Sequence, residues 1–267
     1  MTNDAKSSSR PVTPVGAATV LLLREGAHGL EVFMVVRHRE IDFASGALVF
    51  PGGKVDPGDD EPALQGGGDL APAALAFRIA AIRETFEEAG VLLARPRGGT
   101  DLIDAGRQER IAQRYRDPLH DGAITMREIV AAEDLELACD LLVPFAHWVT
   151  PEEQRRRFDT HFFLAAAPEQ VAARHDGTES VDSLWIRPAD AVADGQAGRR
   201  TVIFPTRMNL AKLGRDDNVQ AALETARNSA VVTVLPKVRK VEGGRLMQIP
   251  LEAGYGVSEV LVNYAGA

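Results

Sequence analysis

Two apolar runs open the ordered part of the chain: VGAATVLLLR (Val15 to Arg24) and LEVFMVVRHR (Leu30 to Arg39). Both are rich in β-branched residues, and the EGAHG between them is turn chemistry, so they predict a β-hairpin. ALVFPGGK predicts a short strand stopped by Pro51 and followed by two glycines. A Gly/Pro/Asp-rich loop comes next, with five acids and no base from Val55 to Leu70. The apolar period then changes to that of a helix over APAALAFRIAAIRETFEEAGVLL, with Pro72 in the first turn and Gly90 at the stop.

Further along, DAGRQERIAQRYRDP and ITMREIVAAEDLELACDLL predict two more helices. LVPFAHWVTP, FDTHFFLAAA and VDSLWIRP predict strands, the last followed by a short helix over ADAVADG. Phe204 to Asn228 predicts helix with a break at LGRDD, and AVVTVLPKVRKVEGGRLMQIP a hairpin turning at Glu242 to Gly244. There is no internal repeat and no Ser/Gly linker. The reading is a tail over 1–13, one domain over 14–267, and a C-terminal extension from about residue 200.

On a wheel of about 100° per residue, Glu84, Glu87 and Glu88 share one helix face, roughly opposite Ile79, Ile82 and Phe86. The apolar face is expected to pack on the sheet and the acids to point away. Like charges at i,i+4 cost a helix a few tenths of a kcal/mol. Glu84 is followed at i+4 by Glu88, and Arg83 is the one nearby base. A solvated acidic stripe is the plain alternative. A hard divalent cation such as Mg²⁺ or Mn²⁺ would relieve the crowding. The strand and Gly52-Gly53 bend ahead of the helix complete a corner suited to phosphate and metal, because glycine lets backbone approach a ligand closely.

The composition narrows the partners. Of 267 residues, 45% are hydrophobic and 25% charged, and the net charge is -8. That balance fits a soluble globular protein and disfavours nucleic acid or an anionic membrane as partner. No run of about 18 apolar residues predicts a spanning helix. The single cysteine, Cys139 in LACDLL, reads as an inert core thiol in a reducing compartment. A cytoplasmic location is expected.

GGKVDPGD and RETFEEAGV together resemble the Nudix box, Gly-x5-Glu-x7-Arg-Glu-U-x-Glu-Glu-x-Gly-U, where U is a large apolar residue. Gly53 matches its first glycine, and Arg83, Glu84, Glu87, Glu88, Gly90 and Val91 match its second half. Thr85 stands at the apolar U, and Asp59 stands where the box has its first Glu. An insertion over about 60–75 separates the two halves. This split box, with the later WVTP and RRFDTHFFLA, is similar to the acyl-coenzyme A diphosphatase-like branch of the Nudix hydrolase superfamily.

The resemblance implies an α/β (α+β) fold: a Nudix-type α-β-α sandwich with a mixed central sheet. It implies Glu84, Glu87, Glu88 and the Gly52 carbonyl as ligands of Mg²⁺ or Mn²⁺, with Arg83 holding the glutamates in register. It makes Glu88 or Glu179 the proton acceptor. Glu179 lies six residues before Trp185 in DGTESVDSLW. Arg37 and Arg39, at the end of the second strand, and Arg157, in PEEQRRRFD, are candidate phosphate contacts. The implied reaction is hydrolysis of a pyrophosphate bond in a small-molecule nucleotide. The favoured substrate is coenzyme A or its acyl esters, cut to 3′,5′-ADP and (acyl-)phosphopantetheine. ADP-ribose, NADH, dinucleoside polyphosphates and a non-catalytic nucleotide sensor stay open, and a homodimer is allowed.

Overall fold

The computed structural model describes residues 12–38, 46–65, 70–169, 173–177 and 179–262. Most of the expected tail, and Arg39, lie outside the described residues. The hairpin forms as β1 (Val15–Gly26) and β2 (Gly29–Arg37), followed by β3 (Leu48–Val49) and β4 (Gly52–Lys54). After the box loop come α1 (Pro72–Ala89), β5 (Ala94–Pro96), α2 (Ala105–His120), α3 (Met126–Ala132) and β6 (Leu135–Leu137). The next segment holds β7 (Val143–Val149), β8 (Phe158–Ala166), β9 (Ser180–Ile186) and α4 (Pro188–Gln196). The C-terminal part holds α5 (Phe204–Leu213), α6 (Val219–Arg227), β10 (Thr233–Val234), β11 (Lys237–Val241), β12 (Gly244–Gln248) and β13 (Glu259–Val262).

Eight strands make one mixed sheet in the order β10-β7-β8-β1-β2-β3, with β4 on β1 and β9 on β2. β1 runs parallel to β8 and antiparallel to β2 and β4. Side chains alternate across β1. Ala18, Val20 and Leu22 enter the core under α1, α2 and α3, while Leu21 and Leu23 enter a second core with residues of α4, α5 and α6. The sheet is therefore buried on both faces, and the near-continuous apolar run of β1 reflects it. The expected α-β-α sandwich is the observed architecture.

Two elements differ from the sequence expectation. The helix expected over ITMREIVAAEDLELACDLL stops at Ala132. Asp134 has φ 48°, in the left-handed region, and Leu135 and Leu137 then alternate with Glu136 in a strand paired to β5. A single helix cannot pass through that turn, and the period of two over Leu-Glu-Leu is the signal that marks the strand. Gly52–Lys54 is also more than a strand stop. It is a strand in its own right, with Ala18 opposite Gly53 and Thr19 opposite Gly52.

The box insertion is anchored at both ends. Leu64 and Leu75 are buried in the α1 core, and Gln65 bridges to Leu137. Its last residues become the first turn of α1, so that helix begins well before the box arginine. Downstream, the expected hairpin appears as β11 and β12, joined through Glu242 and Gly243, while AVVTV gives β10 and joins the main sheet instead.

Candidate active site

α1 starts on Pro72, whose missing N–H costs nothing there, and ends on Gly90 at φ 71°, whose N–H caps the Phe86 carbonyl. Ile79, Ile82 and Phe86 are fully buried on the sheet side. Thr85, at the box position usually apolar, is equally buried. Its hydroxyl donates to the Ala81 carbonyl (2.7 Å), so a polar residue is carried there without an unmet group.

The acids do not point away into solvent, as the wheel suggests. Glu84 and Glu87 side chains are only 13% and 12% exposed, and Glu88 is 5% exposed. They face β4. The Gly52 N–H donates to Glu88 Oε2 (3.0 Å), and the Glu84 carboxylate lies where a Cβ on Gly53 would stand. A Cβ on Gly52 would meet the Ala18 carbonyl and Thr19. Both glycines are thus required by close approach: Gly52 by backbone, Gly53 by a carboxylate.

Arg83 is the hub. Its guanidinium, 9% exposed, donates through Nη1 to Glu84 Oε1 (2.9 Å) and Glu87 Oε1 (3.1 Å). Through Nε and Nη2 it grips both oxygens of Asp59 (3.1 Å each), and Nη2 also reaches the Lys54 carbonyl (2.7 Å). Asp59 in turn accepts from the Asp56 N–H (2.8 Å). Asp59 therefore closes the box loop onto the helix, despite the insertion and the shorter side chain. A planar fork can bind in two directions at once, which a lysine cannot.

This cluster is short of positive charge. Burial, chiefly, pushes the Glu84 carboxyl up to about 7, with Arg83 opposing and Glu87 adding to the rise. Burial likewise raises Glu87 against the pull of Arg83. Glu88 is held well above the usual carboxylate range by burial and then by Glu84, against the Gly52 N–H and Arg37. Burial works against the Arg83 charge, but the bond to Asp59 and the charges of Glu84, Asp59 and Glu87 outweigh it and raise its pKa.

Glu84 makes stability depend on pH. Its folded value lies above the ordinary 4.5, so between there and about 7 the native state holds a proton that the unfolded chain has lost. Stability therefore falls as pH rises through that window, by about 3 kcal/mol from this residue at most. With a chelator present, urea unfolding of the wild type should lose stability from about pH 4.5 to 7 relative to Glu84→Gln. Parallel profiles for the two proteins would remove the claim.

Other sequence candidates divide. Arg37 stands at the end of β2 opposite Ser180, and its charge acts on Glu88. Its Nε is buried with no hydrogen-bond partner among the described residues. Glu179 is exposed on the loop before β9, its carbonyl accepts from the His38 N–H (2.8 Å), and its charge raises Glu88. The structure thus brings Arg37 and Glu179 to the glutamates. It does not bring Arg157: that guanidinium is buried and donates to the Thr150 (3.0 Å) and Val12 (2.7 Å) carbonyls, fixing the start of β8. Sequence reasoning missed Arg116, which caps the end of α1 through the Glu87 carbonyl (2.8 Å), and His120, whose Nδ1 lies 3.9 Å from Glu87 Oε2. Both come from α2, and no local spacing marks them. Cys139 is buried, and burial pushes its thiol up to about 12, as expected of an inert core residue.

A family model described as "NUDT19 Nudix domain" matches residues 61–213, and the chain belongs to this family. Among curated relatives it is 25% identical over 229 residues to "Acyl-coenzyme A diphosphatase NUDT19" of Xenopus laevis, covering 68% of this chain and 59% of that protein. To the Homo sapiens protein of the same name it is 33% identical over 142 residues, covering 51% of this chain and 38% of the relative. The chain thus spans less than two thirds of either relative. Among solved structures, a NUDIX hydrolase from Alicyclobacillus acidocaldarius is 29% identical with TM-score 0.66, covering 82% of this chain and 99% of that one.

Proposed function

We propose that this chain is a divalent-metal-dependent hydrolase of pyrophosphate linkages in nucleotide derivatives, with coenzyme A or its acyl esters as substrate. The observation that carries the reading is one buried constellation: Glu84 and Glu88 packed against a double-glycine strand, with Glu84 and Glu87 tied to a single arginine. The donor set fits Mg²⁺ or Mn²⁺, being hard carboxylate oxygen with raised proton affinity and too little cationic charge of its own. Glu84, Glu87, Glu88 and the Gly52 carbonyl would hold the ions. When bound, such ions neutralise phosphate charge and lower the pKa of a coordinated water.

The remaining roles belong to the chain. Arg83 and Asp59 keep the glutamates in register. The Nε of Arg37, without a hydrogen-bond partner among the described residues, offers a buried donor to a phosphoryl oxygen. Glu179, exposed and within electrostatic reach of Glu88, takes the proton of the attacking water. The water oxygen bonds to one phosphorus as the bridging P–O bond breaks, leaving two phosphomonoesters. The preference for coenzyme A rests on the named activity of the NUDT19 relatives and on the split box.

The test is a panel of coenzyme A, acyl-coenzyme A, ADP-ribose, NADH and dinucleoside polyphosphates with Mg²⁺ or Mn²⁺, both products identified by mass spectrometry. The expected products are 3′,5′-ADP and (acyl-)phosphopantetheine. Preferred release of AMP and ribose 5-phosphate would reassign the substrate, and binding without cleavage across the panel would overturn hydrolysis. A steric variant adds a second check. Gly53→Ala pushes only the flexible end of Glu84, so folding should persist while turnover drops about a hundredfold, as misplacement by about 1 Å can do. A Gly53→Ala enzyme at wild-type speed would mean that Glu84 does not need that position.

A further inference from the structure

A second group of metal-ligating side chains lies on the same sheet face, apart from the glutamates. His147 of β7 pairs with His161 of β8, and Asp159 stands two residues before His161 on the same strand. One ligand atom from each of His147, Asp159 and His161 lies within 4.8 Å of the other two. The imidazoles stack, with centroids 4.1 Å apart at 25°. Phe77 of α1 covers the far side of His161 at 4.0 Å. His147 Nε2 is in hydrogen-bond contact with Asp159 Oδ1, while Nδ1 meets Thr233 Oγ1 (2.8 Å) from β10. No hydrogen bond reaches the His161 ring among the described residues. Burial, then His147, hold its imidazole below the ordinary histidine range, against Asp159.

We infer that His147, Asp159 and His161 form a binding site for one borderline transition cation of the Zn²⁺, Co²⁺ and Ni²⁺ type. Two imidazoles and one carboxylate are the donor set such ions favour and Mg²⁺ does not. Thr233 supplies the outer contact that fixes the His147 ring, the usual support of a ligating histidine. The ion takes the place of the direct contact between His147 Nε2 and Asp159 Oδ1, while the ring keeps its N–H on Nδ1, toward Thr233 Oγ1. It joins β7 to β8 and, through Thr233, to β10.

The position separates this site from the glutamates. Ala18 of β1 stands opposite Gly53 on one side and His161 on the other. His161 is therefore two strand spacings, roughly 10 Å, from the strand that Glu84 touches. The helix agrees, because Phe77 and Glu84 are seven residues apart on α1, about 10 Å along its axis. One ion cannot bridge both groups.

The experiment uses the untagged chain, stripped of metal and then held in excess Mg²⁺ to occupy the glutamates. Zn²⁺ is titrated against a chromogenic chelator, and bound metal is counted after dialysis. One Zn²⁺ per chain is expected. Co²⁺ should give visible bands of a nitrogen-bound ion. His147→Ala with His161→Ala should weaken Zn²⁺ at least about a hundredfold and Thr233→Val about tenfold, while Glu87→Gln with Glu88→Gln should leave it in place. Should the histidine variants misfold, imidazole NMR of the unaltered chain decides: of its six histidines, His147 and His161 must shift on Zn²⁺ addition. Absence of stoichiometric binding, shifts confined to other histidines, or binding lost with the glutamates would overturn the site. The last result would still leave hydrolysis at the glutamates standing, so the two readings fail separately.

Discussion

Glu87→Gln combined with Glu88→Gln should lower kcat/KM by roughly a thousandfold, about 4 kcal/mol of lost transition-state stabilisation. The amide keeps the volume of each side chain, and an amide oxygen at position 88 can still accept the Gly52 N–H. Only the charge leaves. The same variant should be more stable than the wild type in a chelator at pH 7, because each carboxylate is buried at a cost that the amide does not carry. Falling activity with rising metal-free stability is a signature that simple damage to the fold cannot produce. Glu179→Gln separates the roles further. An exposed proton acceptor contributes about 10² to 10⁴ in rate, so kcat should fall by at least about a hundredfold with unchanged metal affinity and unchanged stability. Full turnover in the double variant would end the metal-hydrolase reading. Full turnover in Glu179→Gln alone would pass the proton to Glu88.

The reach of the sequence follows from where each interaction is made. The hairpin, α1 and its glutamate face are local patterns of apolar spacing and punctuation, and they were legible. The direction in which the acids point was not. The wheel compares faces of one helix and assumes that the polar face meets water, whereas β4 lies over it and buries Glu88. A strand of Gly-Gly-Lys carries almost no apolar signal, so β4 could be found only through its pairing with β1. Asp59 was legible as a box position but not as a partner. Its bond to Arg83 crosses 24 residues, and the insertion hides the spacing. Arg116 and His120 meet Glu87 from a separate helix further along the chain, and His147 meets Asp159 and His161 only through the register of β7 on β8, contacts that no short motif records. Arg157 shows the converse error. A run of three arginines reads as a phosphate contact by charge alone, yet this one is spent on two carbonyls.

Arg83→Met should be the most destabilising single change in the site. The side chain is of similar length and apolar, so little packing is lost. What it leaves behind is Asp59, 4% exposed, with Glu84 and Glu87 beside it and no cation among them. Removing one partner of a buried ionic network costs about 3–5 kcal/mol, because the remaining charges stay buried without compensation. The loss should be largest in a chelator near neutral pH. It should shrink as Mg²⁺ is added, since the ion substitutes for part of the missing charge, and shrink again as pH falls below about 7, where the Glu84 carboxyl takes a proton in the fold. Arg83→Lys should recover only a fraction, because one ammonium cannot serve Asp59, the Lys54 carbonyl and both glutamates at once. Adding Asp59→Asn to Arg83→Met should cost far less than the sum of the two single changes, the mark of a shared network. Strictly additive losses measured by urea unfolding would mean that Arg83 binds its neighbours independently, and the loop closure assigned to Asp59 would have to be given up.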